Sequence, residues 1–77
     1  MRRFQFYREN PPAEYYDTGA ANPPDIPQFE GVIFGDGTVC QHWLTAQSHV
    51  IWQSFADLIK IHGHPEYGSR IEWLDPE

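Results

Sequence analysis

The sequence predicts an α+β fold: an antiparallel sheet of four to five strands with one short helix packed on one face. Three observations predict it. Short apolar-alternating segments recur at Phe4–Tyr7, Val32–Phe34, Val39–Trp43, His49–Trp52 and Arg70–Leu74, each of strand length. An Asp36-Gly37 pair separates two of them, as at a hairpin tip. One segment alone, from Phe55 to His62, has helical periodicity between a start signal and a stop signal.

Taken in order, Arg2 and Arg3 lead into a first strand with Phe4 and Phe6 inward. Its place in the sheet order is open. Residues 9–28 then break every regular pattern. Asn10-Pro11-Pro12, Asn22-Pro23-Pro24 and Pro27 exclude helix and central strand alike. This Pro-rich insert is long enough to be a binding loop or a partly disordered segment. Tyr15, Tyr16 and Ile26 are the bulky residues that could dock it.

With Asp36 and Gly37 as a two-residue primed turn, Phe34 faces Val39, Ile33 faces Cys40 and Val32 faces Gln41. One hairpin face then carries Val32, Phe34, Val39 and Trp43, and is the better core candidate. Thr45-Ala46-Gln47 turns the chain into a third meander strand, His49 to Trp52. Ser54 reads as a helix N-cap with Asp57 three residues on. Phe55, Leu58, Ile59 and His62 share one helix face, with Ile61 on its flank. Gly63 reads as the C′ glycine, and Pro65 blocks resumption. Tyr67-Gly68-Ser69 turns into a last strand with Ile71 and Trp73 inward.

At 77 residues the chain is one small domain. Its single cysteine, Cys40, excludes an internal disulfide and fits a reducing cytoplasm. Three Trp, four Tyr and five Phe supply the core instead. The sequence shows no signal peptide and no apolar run of membrane-spanning length, so a soluble cytoplasmic protein is expected. Eleven acids against five bases, net −6, argue against phosphate-driven nucleic-acid binding.

Gly-Val-Ile-Phe-Gly-Asp-Gly-Thr-Val at 31–39, then Trp43-Leu44, His62-Gly63-His64 and Arg70-Ile71-Glu72-Trp73-Leu74-Asp75, together resemble a family of small proteins of actinobacteria and their phages. The resemblance covers roughly residues 29–75 and implies a phage-related role without implying an activity.

Two constellations carry possible chemistry. Cys40 and His42 project to one strand face, while His62 and His64 bracket Gly63. If the two pairs met, they would form a Cys-His₃ metal or small-ligand site, or a minimal enzyme centred on His-Gly-His. The simpler reading makes His62 a core histidine bonded to a backbone carbonyl, sets His64 against the last helical carbonyls, and leaves His42 and His49 exposed. Cys40 in mid-strand lacks the cationic setting that makes a thiolate reactive. The second constellation is the surplus of aromatics. Tyr7, Tyr15, Tyr16, Trp52 and Tyr67 exceed the needs of a small core, and exposed aromatics anchor protein interfaces. The expectation is a non-catalytic interaction protein without metal or cofactor, binding a protein partner, such as a host protein, or itself as a homodimer. Its candidate binding residues are Tyr15, Tyr16, Trp52, His62, His64 and Tyr67.

Overall fold

The structure is a computed structural model describing residues 1–10, 22–44 and 47–76. Among them are β1 (Arg2–Arg8), β2 (Phe29–Ile33), β3 (Val39–Trp43), β4 (Ser48–Trp52), helix α1 (Phe55–His62), a 3₁₀ turn (Pro65–Tyr67) and β5 (Ser69–Trp73). The strands form one sheet in the order β4-β3-β2-β1-β5, with every neighbouring pair antiparallel. The α+β expectation holds. The position of β1, open in the sequence, is between β2 and β5.

That order explains the helix. β4 lies on one rim and β5 on the other, so the chain must cross the sheet between them. α1 makes this crossing and covers one face on the way. Ser54 starts it in extended geometry and accepts a hydrogen bond from the Asp57 N–H (3.1 Å), satisfying one of the first-turn donors. Leu58 is its fully buried residue, Phe55 and Ile59 flank it, and Ile61 faces outward.

Phe4, Phe6, Phe29, Val39 and Leu58 form the core. Phe6 stacks on Phe29 at 4.4 Å, and Phe4 meets Phe55 edge-on at 5.1 Å. Burying each such side chain stabilises the fold by about 1.5–3 kcal/mol. Gly31 lies opposite Phe4 on β1. A Cβ there would come within 2.7 Å of the Phe4 ring, so the missing side chain is what lets the ring lie across β2. Gln41 interrupts this apolar layer. Its Oε1 accepts from Trp52 Nε1 (2.8 Å), while its Nε2 is buried without a partner, a cost of about 1–3 kcal/mol.

The hairpin differs from its sequence reading by one residue. Ile33 pairs with Val39, Val32 with Cys40 and Gly31 with Gln41. Gly37 N–H donates to Phe34 C=O and Phe34 N–H to Thr38 C=O, which makes Gly35-Asp36-Gly37 a three-residue loop. Gly37 takes the left-handed conformation (φ 91°), as a bulge glycine does in such loops. Asp36 closes the loop by accepting from the Thr38 N–H and hydroxyl, and these bonds hold its carboxyl below the usual range. The extra loop residue reverses β2 relative to the expected pairing. Phe29, Gly31 and Ile33 therefore share the helix-covered face with Val39, Gln41 and Trp43, whereas Val32 lies on the other.

Two smaller expectations also change. Gly63 is right-handed (φ −66°, ψ −38°), and the left-handed residue is His64 (φ 37°, ψ 66°). Glycine is required at 63 because a Cβ would press on the Ile59 carbonyl and its Cγ2. Within the insert, Ile26 is exposed, and the anchor is Gln28, which is buried. Its amide bonds both the N–H and the C=O of Asn22 (2.8 and 2.7 Å). Tyr15 and Tyr16 lie outside the described residues.

Candidate functional site

With α1 on one face, no other described element covers the opposite, open face of the sheet, and strand register decides what it displays. Side chains alternate between faces, so the open face carries Arg3, Gln5 and Tyr7 of β1, Glu30 and Val32 of β2, Cys40 and His42 of β3, His49 and Ile51 of β4, and Arg70 and Glu72 of β5. Cross-strand pairing arranges them in rows. One runs Ile51, Cys40, Val32, Arg3, and the next runs His49, His42, Glu30, Gln5, Glu72.

In the second row, His42 and His49 stack with ring centroids 4.7 Å apart. His42 Nδ1 lies 3.4 Å from Glu30 Oε2. Arg3, Glu30, Val32, Cys40, His42 and His49 line a shallow groove of about 340 Å³ between the rows. At its far end Arg3 grips Asp75 through its backbone N–H (2.8 Å), Nε (2.9 Å) and Nη2 (2.9 Å). These bonds hold the Asp75 carboxyl well below the usual carboxylate range.

The rim at β4 has a separate character. Leu44 N–H bonds Gln28 C=O, and Phe34 N–H bonds Thr38 C=O. This fixes the alternation along β3, so the backbone groups of Ser48, Val50 and Trp52 turn toward β3. Those of His49 and Ile51 turn toward the free edge. Ile51 is 67% exposed and Val50 37%. From Gly37 to Ala56 the chain has no Asp, Glu, Lys or Arg. A chain of net charge −6 thus has one neutral quarter, and β4 is its outer border.

The two pairs whose meeting would have made a metal or small-ligand site are held apart. Cys40 and His42 are on the open face, whereas His62 packs on the helix side, edge-on to Trp43 (5.1 Å) and Trp52 (5.5 Å). Among the described residues no group of three or more His, Cys, Asp or Glu could hold a metal ion. His62 is indeed a packed histidine, but its ring is held by two indoles rather than by a backbone carbonyl. Burial, then Arg8, then His64 push its pKa down. Arg8 is buried and donates from Nη2 to the His62 C=O (2.9 Å), so a cation sits at the negative end of the helix.

His64 points away from the helical carbonyls. Its Nδ1 contacts Glu66 (2.8 Å), and its ring stacks on Tyr67 at 4.8 Å. The His64 bond is the main reason the Glu66 carboxyl lies below its usual range. Trp52, expected as an exposed anchor, turns to the helix side and bonds Gln41. Of the six candidate binding residues, Trp52 and His62 pack together, and His64 and Tyr67 form a second pair at the start of β5. Neither pair lies on the open face. The open face instead carries Glu30, His42, His49 and Ile51, and the last three fall in the stretch 37–56 that has no Asp, Glu, Lys or Arg.

This is a small α+β protein in which one helix covers one side of a five-stranded antiparallel sheet. Among its described residues no helix is long and apolar enough to cross a membrane. The chain belongs to the Acb5 phage protein family, whose model matches residues 1–75. Comparison with the curated proteins and with the solved structures gives no match.

Proposed function

We propose that this phage-family protein is a non-catalytic interaction module of the cytoplasm. It docks a protein partner, from the host or a second copy of itself, at the β4 rim and the adjoining open face. The observation that carries the reading is β4 itself. A rim strand with outward backbone groups, β-branched Val50 and Ile51 and no charge is a template for pairing. In the open groove beside it the histidines interact with each other and with Glu30.

The experiment is site-specific photocrosslinking in phage-infected cells. A benzoylphenylalanine in place of Ile51 is expected to form adducts, and one in place of Glu72 on the opposite rim is not. Adducts at Glu72 with none at Ile51 would overturn the reading.

A further inference from the structure

We infer that the β4 rim pairs with the β4 rim of a second copy, joining two five-stranded sheets into one continuous sheet about a two-fold axis at Val50. The inference rests on the reading of β4 as the docking rim and specifies its occupant.

The register makes the match. His49 and Ile51 are the β4 residues whose backbone groups face outward. Antiparallel pairing centred on Val50 sets His49 of one copy against Ile51 of the other, and the reverse. Both couples are then hydrogen-bonded pairs, each exchanging both N–H···O=C bonds. Val50 meets Val50 as the intervening non-hydrogen-bonded pair, where side chains approach most closely. Its side chain is on the helix side, so the contact adds apolar surface beside Trp52 and Val39.

Charge selects this rim over others. Two copies of net charge −6 repel each other. The segment 37–56 is where they can meet without bringing charged side chains together. The β5 rim instead carries Arg70 and Glu72, and charged side chains along a rim discourage its pairing.

A two-fold normal to the sheet keeps both helices on one side and joins the open faces on the other. The row Glu30, His42, His49 then continues into Ile51, Cys40, Val32 and Arg3 of the second copy. The two grooves become neighbours. Five paired residues cover far less than the ~800 Å² per partner of a standard interface. The dimer is therefore weak, with a dissociation constant on the order of 10–100 µM.

Sedimentation of the full chain from about 5 to about 500 µM tests this, a range chosen to bracket that constant. The expected mass rises from 9.0 kDa toward twice that value. Ile51→Lys should hold the chain monomeric at every concentration with an unchanged circular dichroism spectrum, and Glu72→Lys should leave the rise intact. In a Cys40→Ser background, Val50→Cys should oxidise to a covalent dimer, because its Cα atoms would sit within disulfide reach.

A wild-type chain that stays monomeric throughout overturns the inference. So does a dimer indifferent to Ile51→Lys, or a Val50→Cys chain that does not crosslink. A monomer that still forms adducts with another protein from position 51 refutes self-pairing and leaves the docking-rim reading standing. A monomer with no adduct removes both.

Discussion

β4 and β5 each run five residues along opposite rims of the same sheet, but the chain treats them differently. β5 carries Arg70 and Glu72, which pair with each other, and Arg70 also reaches Glu9 (2.9 Å) and lies over the Tyr7 ring (4.2 Å). Beyond it the Arg3–Asp75 clamp fastens the strand end, and Pro76 follows. Charges and a proline are the usual means of discouraging a rim from pairing. β4 has none of them. It keeps an uncharged rim with Ile51 in solvent and a helix that begins three residues later. In so small a domain, protecting one rim and leaving the other bare points to the bare one as the working surface.

The largest perturbation removes what both rims lean on. Phe4 packs against Phe55, Trp73 and the Gly31 backbone. Phe4→Ala is expected to cost about 3–5 kcal/mol, seen as a loss of the urea midpoint, with both rims unfolding in one transition.

Loosening β5 alone comes next. The folded Asp75 carboxyl lies below its ordinary value. Its stabilisation is therefore complete above the unfolded carboxylate pKa near 4 and is lost as pH falls through the depressed folded value. Asp75→Asn should remove that acid-sensitive part of the urea midpoint. It should also speed hydrogen exchange at the Leu74 amide, which bonds Arg3 C=O.

On the β4 side, His62 has the opposite kind of group and the same direction of acid loss. Its folded pKa is lowered, so the unfolded chain takes up the proton first as pH drops below about 6.5. Stability is unaffected above that value and falls below it until the folded pKa is passed. His62→Phe keeps edge-on rings against Trp43 and Trp52, and its urea midpoint should stay level through that window.

The smallest effect on stability is the most telling. Ile51→Lys should change the unfolding free energy by no more than about 0.5 kcal/mol, as for other surface substitutions, while abolishing association. A large loss would mean that β4 is held by the fold and is not a free rim.

Much of the fold was legible in the chain. Phe4 and Phe6, the Ser54 cap, the Phe55-Leu58-Ile59-His62 stripe and the Ile71-Trp73 alternation are local patterns, and local patterns survive folding. The hairpin register was not legible, because Gly35-Asp36-Gly37 accommodates both a two-residue and a three-residue loop. Choosing between them moves Phe29 and Ile33 from one face to the other. Sheet order was illegible for a different reason. No local pattern tells β5 to pair with β1, and hence none says that β4 becomes a rim. The site suffered most from this. Trp52 reads as a surface anchor until the crossing helix covers it, and Ile51 reads as an ordinary strand residue until the sheet order places β4 at the rim.

Amide hydrogen exchange, residue by residue and at two protein concentrations, addresses the asymmetry of the rims most directly. The outward amides are His49 and Ile51 on β4, and Ile71 and Trp73 on β5, since Leu74 and Gly68 are the β5-side groups bonded to β1 and its continuation. The expected result is fast exchange at all four in dilute solution, with slowing at His49 and Ile51 alone as the concentration rises. Slowing at Ile71 and Trp73 instead, with His49 and Ile51 unchanged, would contradict the account.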